Sequence, residues 1–127
     1  MIVIAIIGLL AAIAVPSYNG YMLKSRRVDG TAFLIEVASE QVRFYSEYNR
    51  YANTMSDLGY GTAATADSKE GHYTVTITTT ANDSTYLLTA APATGSPQLK
   101  DTACGTMALN SSQQKTVTGT STAADCW

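Results

Sequence analysis

With 127 residues, the chain has room for one domain and an appendage, not for two domains. Charged residues make up 14% of it and the formal net charge is −2, which removes any overall attraction to a polyanion. After Gly59 the bases Lys69, Lys100 and Lys115 meet the acids Asp67, Glu70, Asp83, Asp101 and Asp125, so the second half is acidic as well.

The chain opens MIVIAIIGLLAAIAV, runs into Pro16, and carries no charge before Lys24. A secretory signal would need a basic start, a short apolar core and a small-residue cleavage site. Ala12-Ile13-Ala14 fits the last requirement, but no Lys or Arg precedes the apolar run. A spanning helix needs about 20 apolar residues to cross ~30 Å of hydrocarbon. Met1 to Val15 supplies only about 22 Å at ~1.5 Å per residue. Gly8 and Pro16 weaken this helix, Gly through backbone entropy and Pro through a lost hydrogen bond and a kink. Small and β-branched residues such as Ile6, Gly8 and Ala12 suit close helix–helix packing.

The stretch MIVIAIIGLLAAIAVPSYNGYM closely resembles the N-terminal helix of type IV pilins, the subunits of bacterial type IV pili. The resemblance covers the apolar run, Gly8, Pro16 and the aromatic Tyr18. It implies a methylated aromatic N-terminus and a characteristic glutamate, both lying a few places before Met1. It further implies that residues 1–27 anchor the subunit in the inner membrane before assembly and form the filament core afterwards. Ile6, Gly8, Ala12 and Pro16 are then filament-core and helix-weakening positions.

Beyond Pro16 the pattern becomes amphipathic. Val28, Ala32, Ile35, Ala38, Val42, Tyr45 and Tyr48 recur at steps of three or four, the signature of one helical face. Val28, Ile35, Val42 and Tyr45 are accordingly expected as the helix's contribution to the head-domain core. Glu36, Glu40, Arg43, Glu47 and Arg50 fall on another face, with Glu40–Arg43, Arg43–Glu47 and Glu47–Arg50 at ion-pairing spacings. Lys24, Arg26 and Arg27 form a basic cluster suited to a headgroup or filament contact. The helix is predicted to end near Tyr51, since Asn49, Asn53, Ser56 and Gly59 mark irregular chain.

From Gly61 to Gly71 no period is visible, and the stretch reads as a loop. HYTVTITTT alternates Tyr73, Val75 and Ile77 against Thr74, Thr76 and Thr78, a half-buried strand. Ala81–Ser84 carries turn chemistry, and TYLLTAA is a second strand ended by Pro92. Cys104 to Asn110 and Lys115 to Thr118 complete four strands, antiparallel because their connections are short. The expected fold is α+β: a long N-terminal helix, kinked near Pro16, packed on a four-stranded antiparallel sheet, with a head domain over residues 28–127. The even cysteine pair Cys104 and Cys126 reads as a disulfide in an exported domain, or as two free thiols in a reducing compartment. The apolar N-terminus favours the disulfide, and the resemblance implies that such a bridge bounds the exposed C-terminal region, as in type IV pilins.

No catalytic, cofactor-binding or metal-binding constellation is signalled. His72 stands alone, the serines sit in turn-like stretches, and Gly59-Tyr60-Gly61 follows no strand. Asp101 and Asp125 are candidate Ca²⁺ ligands or ordinary surface acids. Asn82-Asp83-Ser84 and Asn110-Ser111-Ser112 match the glycosylation sequon. The expected role is a structural subunit, not an enzyme: a homo-oligomer forming a surface filament for adhesion, twitching motility or DNA uptake, with the inner membrane and the pilus assembly machinery as earlier partners. The alternatives are a minor pilin acting as a DNA-uptake receptor and a type II secretion pseudopilin.

Overall fold

A computed structural model describes residues 1–127. One helix, α1, spans Ile2–Tyr48 and continues through Pro16. It stops at Asn49, which adopts the left-handed region at φ 55° and donates its N–H to the Tyr45 carbonyl at 2.8 Å. Asparagine tolerates that conformation, so the helix ends short of the expected Tyr51.

Five strands follow: β1 (Thr65–Asp67), β2 (Tyr73–Thr79), β3 (Tyr86–Pro92), β4 (Met107–Asn110) and β5 (Lys115–Val117). They form one antiparallel sheet in chain order, a meander closed by the short helix α2 (Ala123–Cys126). The α+β architecture is as expected, with one strand more. The extra strand, β1, lies in the stretch read as a loop. It pairs Thr65 with Thr76 and Asp67 with Thr74, and the Thr74 hydroxyl donates to the Asp67 carboxylate at 2.7 Å. Three residues show no period of their own; the free edge of β2 recruits them.

Alternation along the central strands fixes which face is inside. Tyr73, Val75 and Ile77 of β2 and Tyr86, Leu88 and Ala90 of β3 are buried. Ile77 pairs with Leu88, and Leu88 with Leu109 of β4. Helix α1 lays Phe33, Leu34, Val37 and Ala38 on this face, and Ala52, Met55 and Leu58 seal the end where the chain leaves α1. Each fully buried side chain of this size contributes roughly 1.5–3 kcal/mol.

The stripe of α1 that meets the sheet is not the one expected. Val28, Ile35, Val42 and Tyr45 are exposed, Val28 at 64% and Val42 at 61%. The buried face runs through Gly30, Phe33, Leu34, Val37 and Gln41, with Ala38 shared by both readings. Gly30 is the reason at one end. A Cβ there would sit 2.7 Å from a ring carbon of Tyr73 and 2.9 Å from the Met107 methyl, so only glycine admits the sheet so close. Gln41 is the reason at the other. Its fully buried amide donates to the Ala52 carbonyl at 2.9 Å and accepts the Ala52 N–H at 2.8 Å, fastening the returning chain to the helix.

Candidate functional site

The first 21 residues are all exposed, and none of them belongs to the head-domain core. Ile4 is 71% exposed and Leu9 67%. Ile6, Gly8, Ala12 and Pro16, the expected filament-core positions, all lie on this bare arm, and nothing packs within 4 Å of where a Gly8 Cβ would stand. Ala5, Gly8 and Ala12 share one side at steps of three and four, which leaves a flat strip between larger Ile and Leu side chains. Helix α1 contains a segment long and apolar enough, by length and composition, to cross a membrane. Apolar surface of this extent does not stay open to water in a stable monomer.

The bare surface continues past the arm. Val28, Ile35 and Val42 extend it along α1 over the part that carries the head, on the side turned from the sheet, while Tyr45, also exposed, stacks on Tyr51 and through it meets Tyr86 of β3. Of the three expected charge pairs on α1, only Glu40–Arg43 forms, at 2.5 Å. Arg50 turns away from Glu47 to Asp83 at 3.5 Å and lies over the Phe44 ring.

Four clamps hold α1 to the head. Arg27 donates from Nε and Nη2 to the two carboxylate oxygens of Asp101, at 2.6 and 2.8 Å. Asp101 also accepts the Cys104 N–H at 3.4 Å, so the pair links α1 to the disulfide. Asp101 is therefore a buried acid paired with Arg27 and not a surface group, and Arg27 leaves the free basic cluster. Gln98 donates its amide to the Leu23 carbonyl at 3.2 Å and to the Tyr73 hydroxyl at 2.8 Å, so contact with the head begins at Leu23, ahead of Val28. The Asp29 carboxylate accepts from the Ser68 hydroxyl and from the Glu70 N–H. Glu36 accepts from Lys69 at 2.9 Å and from the Tyr60 hydroxyl at 3.1 Å. Lys69 first, then Tyr60, holds the Glu36 carboxyl below its ordinary range. Burial first, then Glu36, pushes the Tyr60 phenol up to about 12.

Cys104 and Cys126 are joined in a disulfide with Cα atoms 5.8 Å apart. The bridge fastens α2, and with it Trp127, whose ring packs against the core and lies 5.1 Å beneath the Lys115 ammonium. Asp125, the second calcium candidate, accepts from the hydroxyls of Thr122 at 2.7 Å and Ser121 at 3.2 Å, which hold its carboxyl below the ordinary range. No three His, Cys, Asp or Glu side chains come together as a metal site. His72 stands 3.6 Å from the Glu70 carboxylate at the start of β2.

The geometry is that of a uniform head on a bare apolar rod, and comparison with known proteins agrees. A family model described as "Type IV minor pilin ComP, DNA uptake sequence receptor" matches residues 16–108. The type IV major pilin protein PilA of Myxococcus xanthus (strain DK1622) is 37% identical over 60 residues, 47% of this chain. Those residues are 27% of that protein, so the match spans about a quarter of the relative's length. A type IV pilin structure from Shewanella oneidensis superposes with a TM-score of 0.52 at 23% identity, over 73% of this chain and 89% of that one, a likeness of fold. By the family model's reach, which takes in α1 beyond Pro16 and the sheet as far as β4, this chain belongs to the type IV pilins.

Proposed function

We propose that the chain is a structural subunit of a type IV pilus, held in the inner membrane by residues 1–27 and then polymerised through them into a surface filament. The bare arm carries this reading: an apolar rod that no part of its own head covers. Lipid satisfies it before assembly, and identical rods satisfy it afterwards. Exchange of one apolar surround for another costs little in hydrophobic terms, so small-residue packing at Gly8 and Ala12 and contacts between heads decide the outcome. Helix-weakening Gly8 and Pro16 let the rod adjust its path in the crowded filament centre. Family and fold are those of structural subunits, and the head's role is to set spacing and present a surface.

The description of the matching family favours a second reading, a minor pilin whose head receives DNA. Unpaired Lys24, Arg26 and Lys100 supply local positive charge for it, against an acidic balance over the rest of the head. Two measurements separate the readings. In filaments purified from the native host, this chain is expected as the dominant protein by mass spectrometry, and Ile6→Lys or Ala12→Asp is expected to abolish filament yield. Trace abundance, with salt-sensitive duplex binding by the full chain, would transfer the assignment to the minor pilin. Unchanged filament yield in both charged variants would end the polymerisation reading.

A further inference from the structure

Lys24, Arg26 and Lys100 have no carboxylate within ion-pairing distance, whereas Arg27 beside them is taken by Asp101. Arg26 and Lys100 rim a groove of about 330 Å³ whose remaining walls include Tyr18 and Met22 of α1 and Pro97 of the turn that faces it. Tyr18, Met22 and Arg26 are spaced by four and share one helical face. The facing turn, Pro97–Lys100, does not hang free. Fully buried Gln98 ties it to the Leu23 carbonyl and to the Tyr73 hydroxyl. On the same turn Leu99 leaves its side chain 60% exposed.

The height of this groove along α1 gives it a meaning that rests on the membrane stage proposed above. Tyr18 and Tyr21 are the ring-bearing residues that belong at a bilayer interface. Arg26 lies five residues beyond Tyr21, about 7 Å of helix, which matches the depth of a headgroup layer. We infer that the groove binds an anionic phospholipid, with its phosphate between the Arg26 guanidinium and the Lys100 ammonium and its glycerol end against Tyr18 and Met22. Two free cations on one small groove fit a single phosphate, and the apolar walls fit the chain below it. A duplex would have to enter the headgroup layer to reach the same atoms. The bound lipid would hold the head at a fixed height and tilt on the membrane before assembly.

Juxtamembrane Lys or Arg residues gain about fivefold in partitioning per charge on an anionic surface, so losing both groove cations lowers affinity by about 30-fold. The test uses the full chain in bicelles, with NMR of amides and of the Arg26 and Gln98 side-chain nitrogens. Protection of the 2–15 amides from solvent exchange reports insertion, expected in phosphatidylcholine with or without phosphatidylglycerol. Saturable shifts at Leu23, Arg26, Gln98 and Lys100 are expected only as phosphatidylglycerol is added, about 30-fold weaker in R26Q/K100Q and at most fivefold weaker in K24Q. Unchanged Cys126 and Trp127 amides in the variants show the head intact. Equal shifts in phosphatidylcholine alone, or K24Q as damaging as the double variant, would overturn the groove. So would inorganic phosphate or an oligonucleotide duplex reproducing the shifts while phosphatidylglycerol does not. Protection without lipid-specific shifts sinks this inference alone; no protection in either bicelle sinks the membrane stage and this inference together.

Discussion

Arg27→Met tests whether the head and α1 are one unit from Leu23 onward. The Asp101 side chain is 1% exposed and that of Arg27 15%, and both guanidinium bonds go to that one carboxylate. Breaking a buried pair from one side costs about 3–5 kcal/mol, because it strands the other charge. Asp101 keeps the Cys104 N–H at 3.4 Å, which places the expected loss near the lower end, about 3 kcal/mol. That is a large fraction of the ~5–15 kcal/mol that holds a domain together. Asp101→Leu should cost less, about 1–2 kcal/mol, since the partly exposed Arg27 can turn to water. The combined variant should resemble Asp101→Leu alone, because no carboxylate is left stranded. Urea unfolding of a fragment beginning at Met22, which keeps the Leu23 carbonyl, measures all four forms, with Trp127, the only tryptophan, as the fluorescent reporter. A loss under about 1 kcal/mol for Arg27→Met at unchanged m would refute the reasoning, and so would a combined variant as damaged as Arg27→Met.

The same fragment carries the remaining predictions. Replacing Cys104 and Cys126 by alanine should lower stability by about 3 kcal/mol, the chain-entropy value for a loop closed over a separation of 22 residues; a change near zero would show that the unbridged tail stays docked. Gly30→Ala gains about 1 kcal/mol of helix propensity but drives a methyl into the Tyr73 ring, which overpacking converts into a net loss of about 1–2 kcal/mol, read from the urea midpoint. Tyr60, Tyr73 and Tyr86 all have their phenols raised, by burial first. A folded-state pKa above the unfolded one stabilises fully below the unfolded value, so stability should hold to about pH 10 and fall as pH rises toward 12; Tyr60→Phe should make that fall shallower. Glu36 works in the opposite sense: held low in the fold, its contribution is present at neutral pH and disappears as acid protonates it, so Glu36→Gln should flatten the acid limb.

The strands were legible because β2 and β3 alternate without a break, and alternation survives any tertiary context that keeps one face dry. Strand β1 was not, because its conformation comes from its neighbour and three residues hold no pattern. The disulfide needed only two cysteines and an apolar arm that points to an oxidising compartment. The stripe of α1 is the instructive case. Apolar periodicity marks every face that will be covered by something, and α1 is covered twice, once by its own sheet and once by whatever meets its other side. Of the two stripes, the richer in Val, Ile and Tyr is the one left bare, and the one with Gly30, Thr31 and Gln41 lies against the sheet. Close approach needs a missing side chain at Gly30, and the chain reversal at Ala52 needs an amide at Gln41; hydrophobicity counts both against burial. A helix with more apolar faces than its own domain can use is thus a sign of a second surface. Val28, Ile35 and Val42, misassigned to the core, carry the same demand for a neighbour as the bare arm, up the length of the head.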